Sequence, residues 1–348
     1  MILSLTSVIS ILTFSIVTRM FSSSVQEFAA VASLANYTKA KYLAMSSLEV
    51  VHSFLRKGKL DRMYEYGFLP ESMPIPFGEQ VGNSPSIIRY TAYEQTGKIN
   101  VNELVGVFTG QESGKTREML NQLSETLGIN NDIWDAVVDY IDADSTNMPA
   151  GAEQQDYENL DPPRKIKNAR LHSLEELLFV PGFNRRLLYD DLRSDEKKQE
   201  FSDSFFTEEE KLVVDEENDF KLVNCITTVL PYMWPSVQEA DKININSANI
   251  NVIMSLTADM TRDIAKKIIV ERLKKTGGRF KSITELSQIP VLKANSLEGF
   301  TIYNILAKRI TDKDRIFKVV AEATVGSQTA VVMSIYDVIQ RKVVQYYE

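Results

Sequence analysis

Between Asp139 and Tyr157 the sequence reads Asp-Tyr-Ile-Asp-Ala-Asp-Ser-Thr-Asn-Met-Pro-Ala-Gly-Ala-Glu-Gln-Gln-Asp-Tyr. These are the residues whose types and spacing point to chemistry. Asp139, Asp142 and Asp144 crowd one side of a turn marked by Pro149 and Gly151, and Glu153 and Asp156 follow it. Carboxylates this close repel each other unless a cation neutralises them. A hard cation such as calcium takes about six to eight oxygens at roughly 2.3–2.6 Å from carboxylates, carbonyls and water. We expect Asp142, Asp144, Glu153 and Asp156 to bind a structural calcium ion. Asp139, three residues before Asp142, reads as either a ligand or a helix-face charge. Tyr157 offers a backbone carbonyl. A flexible loop with many carboxylates favours calcium over magnesium, and the lack of nearby Cys or His disfavours zinc.

Asp142, Asp144 and Glu153 stand at the first, third and twelfth positions of an EF-hand loop. Thr146 at the fifth position, Asn147 in place of the turn glycine and Pro149 argue for a site of another kind. The competing reading is a solvated acidic loop that caps nearby helices.

Other chemistries find little support. No Ser/His/Asp set and no pair of metal-ligating histidines is visible, so an enzyme is not expected; paired Asp142 and Asp144 are the residues an acid–base reading would use. Gly110-Gln-Glu-Ser-Gly-Lys-Thr116 resembles a phosphate loop, but only three residues separate its glycines where four are needed. It reads as a surface turn opening a helix. The single cysteine, Cys225, excludes an internal disulfide and a cysteine-based zinc site. His52 and His172 have no partner at metal-ligand spacing. A net charge of −8 argues against a general nucleic-acid binder. With 348 residues, 44% of them hydrophobic and 25% charged, the chain is long enough for two ordinary folded domains.

The acidic loop leaves an amphipathic helix that carries Trp134, Val137, Val138 and Ile141 at helical spacing. Upstream, the chain opens on an apolar run uncharged until Arg19, and an apolar stripe continues from Val25 to Leu55 without Pro or Gly. One helix of roughly 55 residues follows, its first third suited to lipid or a filament core and its last third to packing under a sheet. A freestanding coiled coil is the competing reading, but no heptad with charged flanks is sustained. Arg56, Lys57, Gly58 and Lys59 would close the helix. A connection rich in Pro and Gly leads to a strand over Ser86–Ala92. Strands resume at Phe317–Val325 and Thr329–Val338, joined by a turn at Gly326-Ser327-Gln328, with an edge strand at Val343–Tyr347. The helical stretch between is therefore expected to be inserted into the sheet domain. We divide the chain into an N-terminal helix (1–57), the first part of a sheet domain (58–95), an inserted all-α domain (96–311) and returning strands (312–348).

The insert contains a faint repeat: Lys98-Ile-Asn-Val-Asn102 recurs as Lys242-Ile-Asn-Ile-Asn246, and Ser173-Leu-Glu-Glu-Leu as Ser282-Ile-Thr-Glu-Leu. The acidic loop occupies the place of a short basic turn in the second copy. Asp190 to Phe220, between the copies, reads as a solvated acidic stretch. Asn244-Ile-Asn-Ser-Ala248 and the basic residues after it also resemble helix-hairpin-helix modules of DNA-uptake and repair proteins. That reading implies a membrane-anchored DNA-binding protein, but Ala258-Asp259-Met260 stands where such a module has its Gly-apolar-Gly hairpin.

Gly97-Lys-Ile-Asn-Val-Asn102, Asp139-Tyr-Ile-Asp-Ala-Asp144, Pro149-Ala-Gly-Ala-Glu153 and Ile243-Asn-Ile-Asn-Ser-Ala248, in that order, resemble the large minor pseudopilin of bacterial type II secretion, the general secretion pathway protein K family. The resemblance implies an α+β pilin-like fold, a long helix on a small antiparallel sheet, with the helical domain inserted and calcium beside it. It implies a non-enzymatic subunit at the pseudopilus tip that serves export of folded proteins. The implied partners are two smaller minor pseudopilins, which we assign to the Val25–Leu55 stripe and within it to Phe28, Leu34, Tyr37 and Leu48. The implied location is the inner membrane with the globular part in the periplasm. A prepilin peptidase would act on a precursor, this chain being expected to begin inside the apolar segment. No nucleic acid and no small-molecule substrate is expected.

Overall fold

The computed structural model describes residues 2–56, 80–81, 84–106, 109–193, 218–229, 242–293 and 297–347. The Pro- and Gly-rich connection, the expected helix cap at Gly58 and most of the acidic stretch after Asp190 lie outside the described residues.

Helix α1 (Ile2–Arg56) runs unbroken for 55 residues. Several of its hydroxyls bond back within the helix: Ser10, Thr13 and Thr18 donate to the carbonyls of Thr6, Ile9 and Phe14. From Thr6 onward it is long and apolar enough to cross a membrane. Its surroundings change near Ala40. Phe14, Phe21, Phe28 and Leu34 are exposed, whereas Ala40, Leu43, Ala44, Leu48, Val51 and Leu55 recur at helical spacing and are buried.

What covers the second half is a five-stranded antiparallel sheet in the order β1 (Gln80–Val81), β2 (Ser84–Glu94), β7 (Ile316–Val325), β8 (Gln328–Asp337), β9 (Lys342–Tyr347). Alternate residues face α1: Tyr90 and Ala92 on β2, Val319, Ala321, Ala323 and Val325 on β7, Ala330 and Val332 on β8. The alanines let the helix lie close to the strands. The hairpin turn has two residues, Gly326-Ser327, because Gln328 already pairs with Val325. Gly326, at φ +60°, supplies the left-handed backbone such a turn demands. The architecture is the expected α+β pilin-like fold.

Neighbouring strands β2 and β7 are separated in sequence by residues 95–315, and the Gln95 amide donates to the Ile316 carbonyl (2.8 Å) where the chain departs and returns. The intervening unit is not wholly α-helical as expected. It contains two short parallel ladders, β3 (Ile99–Asn100) with β4 (Ile226–Thr227) and β5 (Ile243–Asn244) with β6 (Ile310–Thr311). These belong to two structural copies. The first holds α2 (Gly114–Leu127), α3 (Ile133–Ile141), α4 (Gln154–Glu158), a 3-10 helix (Leu174–Phe179), α5 (Arg185–Tyr189) and α6 (Leu222–Cys225). The second holds α7 (Ile250–Met254), α8 (Arg262–Lys274), a 3-10 helix (Ile283–Gln288) and α9 (Leu297–Arg309).

The repeated Asn residues do the same work in each copy. Asn102 binds both the N–H and C=O of Leu171 and the carbonyl of Thr228. Asn246 binds both the N–H and C=O of Phe280 and the carbonyl of Asp312. Each side chain thus satisfies buried backbone groups of two returning segments, which an apolar residue would leave unpaired.

The insert is tied to the sheet through Glu94, the last residue of β2. Its Oε2 accepts the Gly97 amide (2.9 Å) and the Ser247 hydroxyl (2.5 Å), and its Oε1 accepts the Thr96 hydroxyl. Gly97 is required there, since a Cβ would lie 2.6 Å from the Ser247 carbonyl carbon. Burial raises the Glu94 pKa against those hydrogen bonds.

Candidate metal centre

The acidic loop hangs from α3, whose Trp134, Val137, Val138 and Ile141 are buried in the core of the insert. Trp134 is fixed by an Nε1–H bond to Ser124 Oγ (2.8 Å) and an edge contact with Phe183. The helix ends at Asp142, whose amide donates to Val138 O (2.9 Å). Asp144 Oδ1 then accepts the Thr146 amide (2.7 Å), a side-chain-to-backbone turn. The chain doubles back through Met148–Gly151 and starts α4 with Glu153 as its N-cap.

Asp142, Asp144 and Glu153 converge: each offers a carboxylate oxygen within 4.8 Å of the other two. Oxygens on opposite sides of a calcium ion lie about 4.6–5.2 Å apart, twice the usual bond length, so this spacing fits one ion. Asp142 Oδ1 and Glu153 Oε1 are buried with no hydrogen-bond donor among the described residues. Buried carboxylate oxygens are ordinarily satisfied, and a cation between these two would satisfy both. Burial, with Asp144, Asp139 and Glu153 adding to it, pushes Asp142 up to about 6. Glu153 is raised as well, by burial first. The donor set, all oxygen and all anionic, suits a hard cation.

The other acids have different work. Asp156, expected as a ligand, lies outside the converging group. Its Oδ2 accepts the Glu153 amide (2.9 Å) in a capping box at the start of α4, and the Asn147 side chain (3.2 Å). Asp139 is fully buried and accepts the Met148 amide. The Tyr157 carbonyl accepts the Arg164 amide (2.9 Å), and its buried ring leans on Tyr140 at 5.9 Å.

Among the expected partner residues, Phe28, Leu34 and Tyr37 are 77%, 66% and 45% exposed on α1. Leu48 is 2% exposed and packs beneath the chain's own sheet, so it presents no surface to a partner here. The phosphate-loop lookalike opens α2, with Ser113 as N-cap accepting the Thr116 amide (3.4 Å). In the second copy, Asp259 is exposed at the tip of the turn where a phosphate-binding module would have its glycine hairpin.

Residues 97–193 match the family "Type II secretion system (T2SS), protein K". The fold matches a chain of the crystal structure of the GspK-GspI-GspJ complex from the enterotoxigenic Escherichia coli type 2 secretion system. That match has a TM-score of 0.56 and 16% sequence identity, covering 94% of this chain and 98% of the other. No curated protein sequence matches the chain. The matched residues take in the acidic loop and the first copy as far as Arg193, and together with the shared fold the match bears out the resemblance of this chain to type II secretion system protein K.

Proposed function

We propose that this chain is a minor pseudopilin that sits at the tip of a type II secretion pseudopilus and acts as a structural, non-enzymatic subunit in the export of folded proteins. It is held in the inner membrane by the first part of α1, with the globular part in the periplasm. Two smaller minor pseudopilins are its partners, by analogy with the similar GspK-GspI-GspJ complex, in which GspK has two companions. Prepilin peptidase processes its precursor. The loop carboxylates Asp142, Asp144 and Glu153 hold a structural calcium ion.

The observation that carries this reading is the division of α1. Its second half is covered by the chain's own sheet, while Phe28, Leu34 and Tyr37 remain exposed on a helix that continues into an apolar, uncharged segment. Contiguous exposed apolar surface marks a contact with lipid or protein, and neighbouring helices beside α1 supply it. The insert, placed beside the sheet, would obstruct further subunits above it, which suits a cap. Replacing Phe28 and Leu34 together by Asp is expected to abolish co-purification with the two smaller pseudopilins. The thermal transition of the insert should persist in that variant. Undiminished co-purification would overturn the assignment of this face.

A further inference from the structure

Asp139 and Gly151 form a latch that the calcium reading leaves unexplained. Asp139 lies one helical turn before Asp142, fully buried, yet outside the converging group of Asp142, Asp144 and Glu153. Both its oxygens face the Met148 amide, at 3.1 and 3.2 Å. A turn closes there, with the Gly151 amide donating to Met148 O (3.0 Å). Gly151 presses on the same carboxylate: a Cβ on it would lie 2.6 Å from Asp139 Cγ and nearer still to Oδ2. Gly151 is not among the glycines with positive φ, so its backbone is open to any residue. What demands glycine is the Asp139 side chain. A second anchor lies one turn earlier on α3, where Asp135 Oδ2 accepts the Ala150 amide (3.1 Å) and Asp135 Oδ1 pairs with Arg117 (2.9 Å).

We infer that Asp139 is a positioning residue rather than a ligand. It draws residues 148–151 onto α3 so that Glu153 is delivered to Asp142 and Asp144, and Gly151 is the residue that permits so close an approach. The inference rests on the calcium reading above. Holding the loop closed before the ion arrives lowers the ordering cost of binding, so the latch sets affinity and not the number of ions bound.

Full-length protein in detergent, stripped of metal, is titrated with calcium chloride by calorimetry as wild type, Asp139→Ala, Gly151→Ala, the double variant and Asp142→Ala. Far-ultraviolet circular dichroism and melting in chelator check the fold. Asp139→Ala and Gly151→Ala should each raise the dissociation constant roughly 10–100-fold, as other residues that orient metal ligands do, at wild-type stoichiometry. In the Asp139→Ala background Gly151→Ala should add less than about twofold, because nothing is left to collide with. Asp142→Ala should abolish binding. Asp139→Ala that abolishes binding as Asp142→Ala does would make Asp139 a ligand and overturn the inference. So would wild-type affinity in either single variant, or effects that multiply in the double variant. Should Asp139→Ala not fold, Gly151→Ala alone decides, wild-type affinity overturning the latch. If the wild type itself binds no calcium, the calcium reading falls and the latch with it; if the wild type binds and the variants match it, only the latch falls.

Discussion

Asp142 leaves α3 with one oxygen facing no donor among the described residues, and Glu153 enters α4 in the same condition. Held together without a cation, the carboxylates repel one another, and burial already raises both. Calcium that binds the folded loop and not the unfolded chain stabilises by mass action, about 2.7 kcal/mol at a hundredfold excess over the dissociation constant. The melting temperature of metal-stripped protein should therefore rise roughly 5–10 °C with saturating calcium and fall again with chelator. Asp142→Ala combined with Glu153→Ala should remove the response; an unchanged wild-type melting temperature would leave the loop a solvated surface. The convergence of Asp142, Asp144 and Glu153 was legible in their spacing. Asp156 was not separated from them, because Glu153-Gln-Gln-Asp156 reads both as two ligands and as a capping box. The signal for Asp139 was weaker still. Only Gly151, a glycine in a loop whose backbone does not require one, hints that another side chain presses on it.

Helix α1 was legible as one unbroken apolar element, and the strands and their hairpin were legible from alternation and Gly326. The stripe from Val25 to Leu55 does not change its spacing where it passes from exposed to covered by the chain's own sheet, so Leu48 reads like Phe28. Only the long-range pairing of β2 with β7, to which β8 adds on the far side, fixes which residues go under the sheet. The two Asn clamps were visible as a repeat, but their partners lie too far along the chain for spacing to reveal. His52 shows what this packing does to a titratable group. Its Nε2 lies 2.8 Å from Ser334 Oγ, its ring stacks on Tyr336 at 4.8 Å, and Nδ1 is 3.6 Å from Glu49. Burial lowers its pKa from 6.5, opposed by Glu49 and aided by Arg56. The unfolded chain then takes up a proton that the folded chain refuses, so stability falls as pH drops below 6.5 and levels once the folded pKa is passed. Denaturant titrations between about pH 5 and 7 should show His52→Gln gaining stability relative to the wild type as pH falls, since Asp142, pushed up to about 6, contributes to both alike. Identical slopes would remove His52 from the account.

At the scale of the whole molecule, a chain of contacts runs from the insert through the sheet to the second half of α1. Glu94 and Gly97 tie the insert to β2, β2 and β7 carry it on the sheet, and the sheet grips α1 from Ala40 to Leu55. The exposed half of α1 extends beyond that grip, and among its described side chains Val8, Ile11, Leu12, Phe14 and Ile16 are all exposed. The first charged residue is Arg19. An apolar helix with no protein cover is soluble only if lipid or another subunit supplies the cover. The acidic loop is held by contacts within the insert, so the two ends should be separable. Cell fractionation should find the full chain in the membrane pellet and a variant lacking residues 1–17 shifted to the supernatant. The truncated protein should keep the calcium-dependent rise in melting temperature, because Asp142, Asp144 and Glu153 are positioned by α3, α4 and the loop between them, all within the insert. Equal partition of the two forms would show that the apolar run is not the anchor.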